Sequence, residues 1–272
     1  MTDIQVARPR TFSVDVSKAL IDYVDSVSRY ELWMALAWFE IKVQYKRSVL
    51  GPFWITLSTG IAIATIGPIY AKLMGAKIDN YFSYLATSII LWNFIAGVIN
   101  TTDIALIGAE GLVKDAKLPF IMFIIKEVFK NIIYLAHTSL ILVILMFFFT
   151  FDVNLPLFIL CFSIVVANLF WIGLFLSIVC TRFRDVAQIV TSLVQVAFFV
   201  TPVMWQPHMI GDRHFVVALN PFYYLIDVLR NPLLDGRVDL RNLGVCVIAA
   251  IVGNAGAFFL FTIARRRIAY WL

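Results

Sequence analysis

The chain has 272 residues, 61% of them hydrophobic and only 14% charged, with a mean hydropathy of +0.89. Soluble domains carry about 25% charged and 45–50% apolar residues, so a water-soluble enzyme, a disordered chain and a collagen-like fibre are all excluded. The net charge of +5 would point to nucleic acid in a soluble protein, but in a membrane chain the placement of the charges decides.

Residues 1–28 are polar and mixed, with one short helix predicted around Ser17 to Ser26. The first 50 residues hold no uninterrupted apolar core, so a cleavable signal peptide is not expected and the N-terminus is placed in the cytoplasm. From Arg29 to Arg47, Leu32, Leu36, Phe39 and Val43 fall on one helical stripe flanked by Trp33 and Trp38. Lys42, Lys46 and Arg47 gather at its end. That pattern suits a helix lying in the cytoplasmic membrane interface; an ordinary amphipathic helix packed on another subunit is the alternative. Gly51-Pro52 then turns the chain into the first span.

Six apolar runs, near 52–74, 83–107, 119–150, 155–180, 186–205 and 242–264, are read as transmembrane helices. They are continuous and do not alternate, which excludes barrel strands. The third is long for one span, so its start (Lys126, Glu127, Lys130) is placed at headgroup depth. Seven Lys and Arg precede residue 50, four lie between 114 and 130, and Arg182, Arg184 and Arg265 to Arg267 follow on the same side. The other side holds Lys72, Lys77, Arg213, Arg230, Arg237 and Arg241. The excess puts both termini inside. The resulting division is a cytoplasmic segment 1–50, a six-helix membrane domain 51–264 and a tail 265–272.

Two connections stand out. The inner loop 108–119 has room for about two helical turns between Gly111 and Pro119, too short to be stable alone. It is either a docking element for a partner or a simple connector. The outer stretch 205–241 is punctuated by Pro207, Pro221 and Pro232 and carries Phe222, Tyr223, Tyr224, Leu225 and Leu229. It is too short to span and too apolar for water, as a re-entrant or interfacial helix pair would be.

No catalytic pattern is present. GxxxxGK[ST], HExxH, GxSxG and CxxC are absent, and His137, His208 and His214 are scattered. Cys161, Cys180 and Cys246 lie in apolar runs and are read as small hydrophobes. No metal site is expected. What remains is polar residues within spans: Gln188, Thr191, Gln195 and Phe199 on one face of the fifth, Asn93, Ala96, Asn100 and Asp103 on one face of the second, and Thr56 and Thr59 on the first. Such stripes either line a polar path or hydrogen-bond between helices. Tyr81, Tyr84, Trp92, Trp205 and the Phe222–Tyr224 group cluster toward the outer half, where most are read as belt residues.

Three segments carry a family resemblance. They are Arg29-Tyr-Glu-Leu-Trp33 with the run from Ile41 through Gly51-Pro-Phe-Trp54, the inner Leu112-Val-Lys-Asp-Ala-Lys-Leu-Pro119, and the outer run from Asn220-Pro-Phe-Tyr-Tyr to Leu234. In this order the chain resembles the membrane subunits of polysaccharide-exporting ABC transporters. These are the Wzm-like O-antigen exporters and their capsule and teichoic-acid relatives in the type-two ABC exporter superfamily. The resemblance implies an all-α permease of the bacterial inner membrane that works as a homodimer. Two separate ATPase subunits would bind ATP and Mg, and this chain would hold no cofactor and catalyse nothing. It implies an interface helix at 29–47, a coupling helix at 108–119 (Glu110, Leu112, Lys114, Asp115, Lys117) and a periplasmic gate in 207–232, with Trp205, Phe222, Tyr223, Tyr224 and Arg230 at the mouth. The implied cargo is a polysaccharide on undecaprenyl diphosphate, its lipid end meeting Lys42, Lys46 and Arg47. Its sugar chain would pass Thr56, Thr59, Asn93, Asn100, Gln188, Thr191, Gln195, Phe198 and Phe199. A drug or small-lipid exporter of the same superfamily is the nearest alternative. A membrane glycosyltransferase would need a carboxylate cluster, and Glu110, Asp115, Glu127 and Asp185 read as isolated.

Overall fold

The computed structural model describes residues 12–73, 75, 78–116, 118–210 and 217–272. Their regular structure is helical, apart from one isolated bridge between Asp152 and Asp235. In chain order the helices are α1 (Phe12–Ser28), α2 (Tyr30–Gln44), α3 (Phe53–Leu73), α4 (Ile78–Thr102), α5 (Ala105–Gly108), α6 (Glu110–Ala116), α7 (Ile121–Leu145), α8 (Leu155–Arg182), α9 (Asp185–Val200), α10 (Pro221–Leu234) and α11 (Leu240–Trp271). A 3₁₀ turn, Pro207–Ile210, lies between α9 and α10.

Five helices (α3, α4, α7, α8 and α11) are long and apolar enough to cross a bilayer. The fifth predicted span is shorter than expected. α9 stops at Val200 after 16 residues, about 24 Å at ~1.5 Å per residue. It stops because Thr201 turns to extended backbone just ahead of Pro202. The other spans shift at their ends. The second begins at Ile78 and breaks after Thr102, leaving α5 as a separate turn, and the last continues without interruption through 265–271. The N-terminal helix is also longer than predicted, running from Phe12 to Ser28.

α4 is the central post. In its apolar stretch 72% of residues are buried, against 17% for α3 and 11% for α11. It packs on α7, α3, α8, α10 and α9, while α8 and α11 form the most extensive helix pair. Small residues permit these approaches. A Cβ added at Gly173 of α8 would fall 2.6 Å from the Thr102 hydroxyl, and one at Gly253 of α11 would overlap the Trp171 indole. The apolar interior forms two tiers. The larger surrounds α4 between α8, α9 and α10. The smaller ties Ala19 of α1, Leu106 of α5 and Val113 of α6 to one end of α7, α8 and α11.

α2 docks on the bundle by the face beside its apolar stripe. Its buried residues are Ala37 and Ile41, and its docking face continues through Trp33, which meets Phe129 edge-on at 5.1 Å, and Glu40. Leu32, Phe39 and Val43 of the predicted apolar stripe are exposed. The reason is electrostatic: α7 presents Lys126 and Lys130 to this face, and Glu40 ion-pairs with both. Glu127, read from sequence as isolated, lies 2.8 Å from Lys126 and 2.6 Å from Lys130. A four-charge cluster, buried on the α7 side and partly exposed at Glu40, therefore joins α2 to α7.

Candidate functional site

Of residues 81–103, Asn93 alone is exposed. Ala96, Gly97 and Asn100, one and two turns on, are half-buried, and Asp103 is buried. The open strip of the most buried helix is thus amide and small side chains. Asn100 Oδ1 has no hydrogen-bond partner among the described residues. On α9, which packs against α4 and α8 through Val190 and Val194, Gln188, Thr191, Gln195 and Phe199 are all exposed. Amides facing hydrocarbon are costly, so such a surface in a membrane protein normally faces protein or water.

The first span contributes differently. Thr56 donates a hydrogen bond to the His137 carbonyl of α7 at 3.0 Å, and Thr59 is buried. The hydroxyls that α3 leaves exposed are Ser58 and Thr65, each bonded to its own helix one turn back. Sequence reading passed over both, although Ser58, Ile61 and Thr65 recur at three- and four-residue steps opposite the buried Thr59, Ile63 and Gly67.

Phe198 and Phe199 have divided roles. Phe198 turns into the bundle, 5.8 Å from Trp92, which in turn meets Phe222 at 5.5 Å, while Phe199 is exposed. Tyr81, Tyr84 and Trp92 are buried, which corrects their reading as interfacial belt residues. The tyrosines clamp the segment after α9. Tyr81 donates to the Met204 carbonyl at 2.6 Å, and Tyr84 bonds the carbonyls of Pro202 and Trp205 at 2.8 and 2.9 Å. The Trp205 indole donates to the Phe199 carbonyl at 3.1 Å.

α10 begins where Asn220 accepts from the Phe222 amide at 2.9 Å and Pro221 fills the first turn, an N-cap followed by a proline that has no donor to lose. Tyr223 and Tyr224 are half-buried, and Tyr224 bonds the Ala218 carbonyl. Arg230 is 2% exposed. Its guanidinium donates to Ser88 Oγ at 3.1 Å and to the Pro202 carbonyl at 2.9 Å, pairs with Asp227 at 3.4 Å, and lies 4.2 Å over the Tyr84 ring. It locks α10 to α4 and to the segment after α9, with Asn242 of α11 holding Asp227 at 2.7 Å.

At the opposite end of the bundle from α10's C-terminus, α6 is anchored by Val113 and braced by a Lys114–Glu110 pair at 2.7 Å. Leu112, Lys114 and Asp115 project outward, and Arg184 is close enough to act on Glu110. Lys117 lies outside the described residues. Lys42, Lys46 and Arg47 are exposed at the end of α2, with Lys42 over the Trp38 ring at 5.8 Å. Gly51, at φ 56°, makes the turn into α3 in a conformation that suits glycine. The three cysteines are buried and unbridged, and no three His, Cys, Asp or Glu among the described residues converge on a metal-sized site.

Two O-antigen export system permease proteins (RfbA) of Klebsiella pneumoniae are 20% and 22% identical to this chain over 247 residues, which is 88% of its length and 94% of theirs. The ABC-2 type transporter family matches residues 31–234, from the first turn of α2 to the last residue of α10. The match takes in the charge-pinned α2, the α6 projection and the Arg230 lock together. The chain is a multi-pass membrane protein and a transmembrane transport subunit, and it belongs to the ABC-2 type transporter family.

Proposed function

We propose that this chain exports a polysaccharide linked to undecaprenyl diphosphate, of the O-antigen type, across the bacterial inner membrane. Two copies enclose one channel, and two separate ATPase subunits bind ATP and Mg and drive it. The observation that carries this reading is the set of polar side chains that α4 and α9 leave exposed in a single chain (Asn93, Gln188, Thr191, Gln195), with half-buried Asn100 two turns along α4. A second copy across the strip would remove it from lipid and leave a polar path. Weak, repeated amide and hydroxyl contacts suit a polymer that must leave each site as readily as it reaches it. Names of the Klebsiella relatives support the same class of cargo.

The remaining parts take roles along that path. α6 fits a groove of the ATPase through Leu112 and Asp115, and Val113 carries its movement into the inner core. Lys42, Lys46 and Arg47 stand where a diphosphate headgroup at the inner surface is attracted by clustered cations. At the other end the aromatic mouth of Trp205, Phe222, Tyr223 and Tyr224 forms the gate, with Arg230 as its fixed post.

The test is ATP hydrolysis by the purified chain alone and after co-expression with the ATPase encoded beside it, together with surface polysaccharide in a deletion strain. Hydrolysis confined to the complex, with surface polymer lost on deletion and restored by the gene, is the expected result. A deletion strain with unchanged surface polymer overturns the export reading.

A further inference from the structure

At the end of the bundle opposite α6, a cavity of about 460 Å³ opens between the start of α4, the 150 loop, residues 206–207 and the second half of α10. A second, of about 540 Å³, adjoins it and shares Asn231, Leu234 and Asp235. Together they form a trough whose walls are held before any ligand arrives. Arg230 and Asp227 form its fixed floor beside Tyr84. The far wall is pinned by main-chain bonds from Asp152 to Leu234 (3.1 Å) and from Asn154 to Pro232 (2.8 Å). Each cavity has the size of an ordinary preformed ligand pocket, ~300–1,000 Å³, but neither is apolar. Thr150, Gln206, Asn231, Asp235, Asp152 and Arg237 line the two. The side chains of Thr150, Gln206 and Asn231 make no hydrogen bond to another described residue.

The geometry points to a saccharide-binding trough that takes consecutive uncharged sugar residues of the emerging polymer. Interleaved amide, hydroxyl and carboxylate groups on a rigid frame are the chemistry that recognises sugar hydroxyls, each of which donates and accepts. The charge balance selects within the class. Among the described residues that line the two cavities, four carboxylates (Asp152, Asp227, Asp235 and Asp239) stand with two cations (Arg230 and Arg237), and Arg230 is already committed to Asp227. That excess of carboxylates repels phosphodiester and uronic-acid backbones and admits neutral or amino sugars. The carboxylates are spread along the trough and do not converge as a cation site would require. The inference rests on the export reading and adds to it where the polymer is held as it leaves and which backbone chemistry is accepted.

The test uses the full chain in its own cells. Thr150→Cys and Asn231→Cys are labelled from outside with a membrane-impermeant maleimide, the three native cysteines being buried. Leu240→Cys, exposed at the start of α11 at the same end but lining neither cavity, is the control. Labelling at 150 and 231 slows severalfold while polymer is made, recovers when its first glycosyltransferase is deleted, and at 240 does not change. Equal rates at 150 and 231 with and without polymer overturn the trough. Loss and recovery of surface polymer on deletion and complementation report separately on export itself. A surface polymer whose backbone is phosphate- or uronate-rich overturns the assignment to uncharged sugars.

Discussion

Glu40 of α2 and Lys130 of α7 are ninety residues apart in the chain, yet Lys130 Nζ donates to Glu40 Oε2 at 2.8 Å. Lys126 takes the other oxygen, and Glu127 closes the cluster from within α7. α2 is therefore fixed by charge on one side, and Leu32, Phe39 and Val43 are left exposed on the other.

Replacing Glu40 by Gln leaves two lysines with Glu127 as their single anionic partner in the cluster. A fully buried broken pair costs ~3–5 kcal/mol; with Glu40 still 40% exposed, about 1–2 kcal/mol is expected after solvent screening. Thermal unfolding in detergent measures it. In a double-mutant cycle, Glu40→Gln with Lys130→Gln should cost less than the sum of the two.

The same cluster sets a pH limit. Burial by itself would raise the Glu40 carboxyl, but hydrogen bonds from Lys126 and Lys130 outweigh it and hold the group below its ordinary value of 4.5. A lowered carboxylate contributes stability that is complete above that ordinary value and is lost as pH falls through its folded value. Proteolysis between α2 and α3 should stay flat from neutral pH down to about 4.5 and rise below it. Glu40→Gln should show the higher rate throughout, without the acid step.

Arg230 holds three elements at once, so its loss should appear first as instability. Arg230→Ala leaves Asp227, 5% exposed, without its cation and should cost ~3–5 kcal/mol. Arg230→Lys keeps the charge but lacks the planar fork that reaches Ser88 and Pro202 and stacks on Tyr84, so it should recover only part. Melting temperatures of the three proteins give the order; equal values would remove the locking role.

Adjacent residues of α6 should separate docking from folding. Leu112 is 44% exposed and Val113 6%. Leu112→Asp should insert normally yet bind the ATPase about tenfold more weakly, near 1.4 kcal/mol, whereas Val113→Asp should fail to accumulate because it buries a charge in the inner core. Co-purification and membrane yield distinguish them.

Asn93→Leu and Gln195→Leu should change thermal stability by no more than about 0.5 kcal/mol, as exposed substitutions usually do, and should still slow export severalfold. Normal surface polymer in both would count against a lining role for this strip.

Much of this architecture is legible in one dimension because the bilayer demands it. A run of apolar residues must become a helix that satisfies its own backbone, so α3, α4, α7, α8 and α11 follow from hydropathy, and α10 is announced by Asn220-Pro221. The exposed amides of α9 were likewise readable from spacing. Thr56, Thr59, Tyr81, Tyr84 and Trp92 were not, since a threonine or tyrosine in a span looks the same whether it bonds a neighbour or faces a path.

The sequence by itself determined that this is a helical membrane protein, roughly where its spans begin and end, and which helix faces carry polar groups. Those are properties of composition and of the 3.6-residue period. The tertiary structure alone decided which of those faces are used. Glu40 meets Lys126 and Lys130, Arg230 meets Tyr84, and Asn93 stays open on an otherwise buried helix. Each depends on how helices distant in the chain are rotated against one another, and that rotation is set by packing at residues such as Gly173 and Gly253, where no local pattern records the partner.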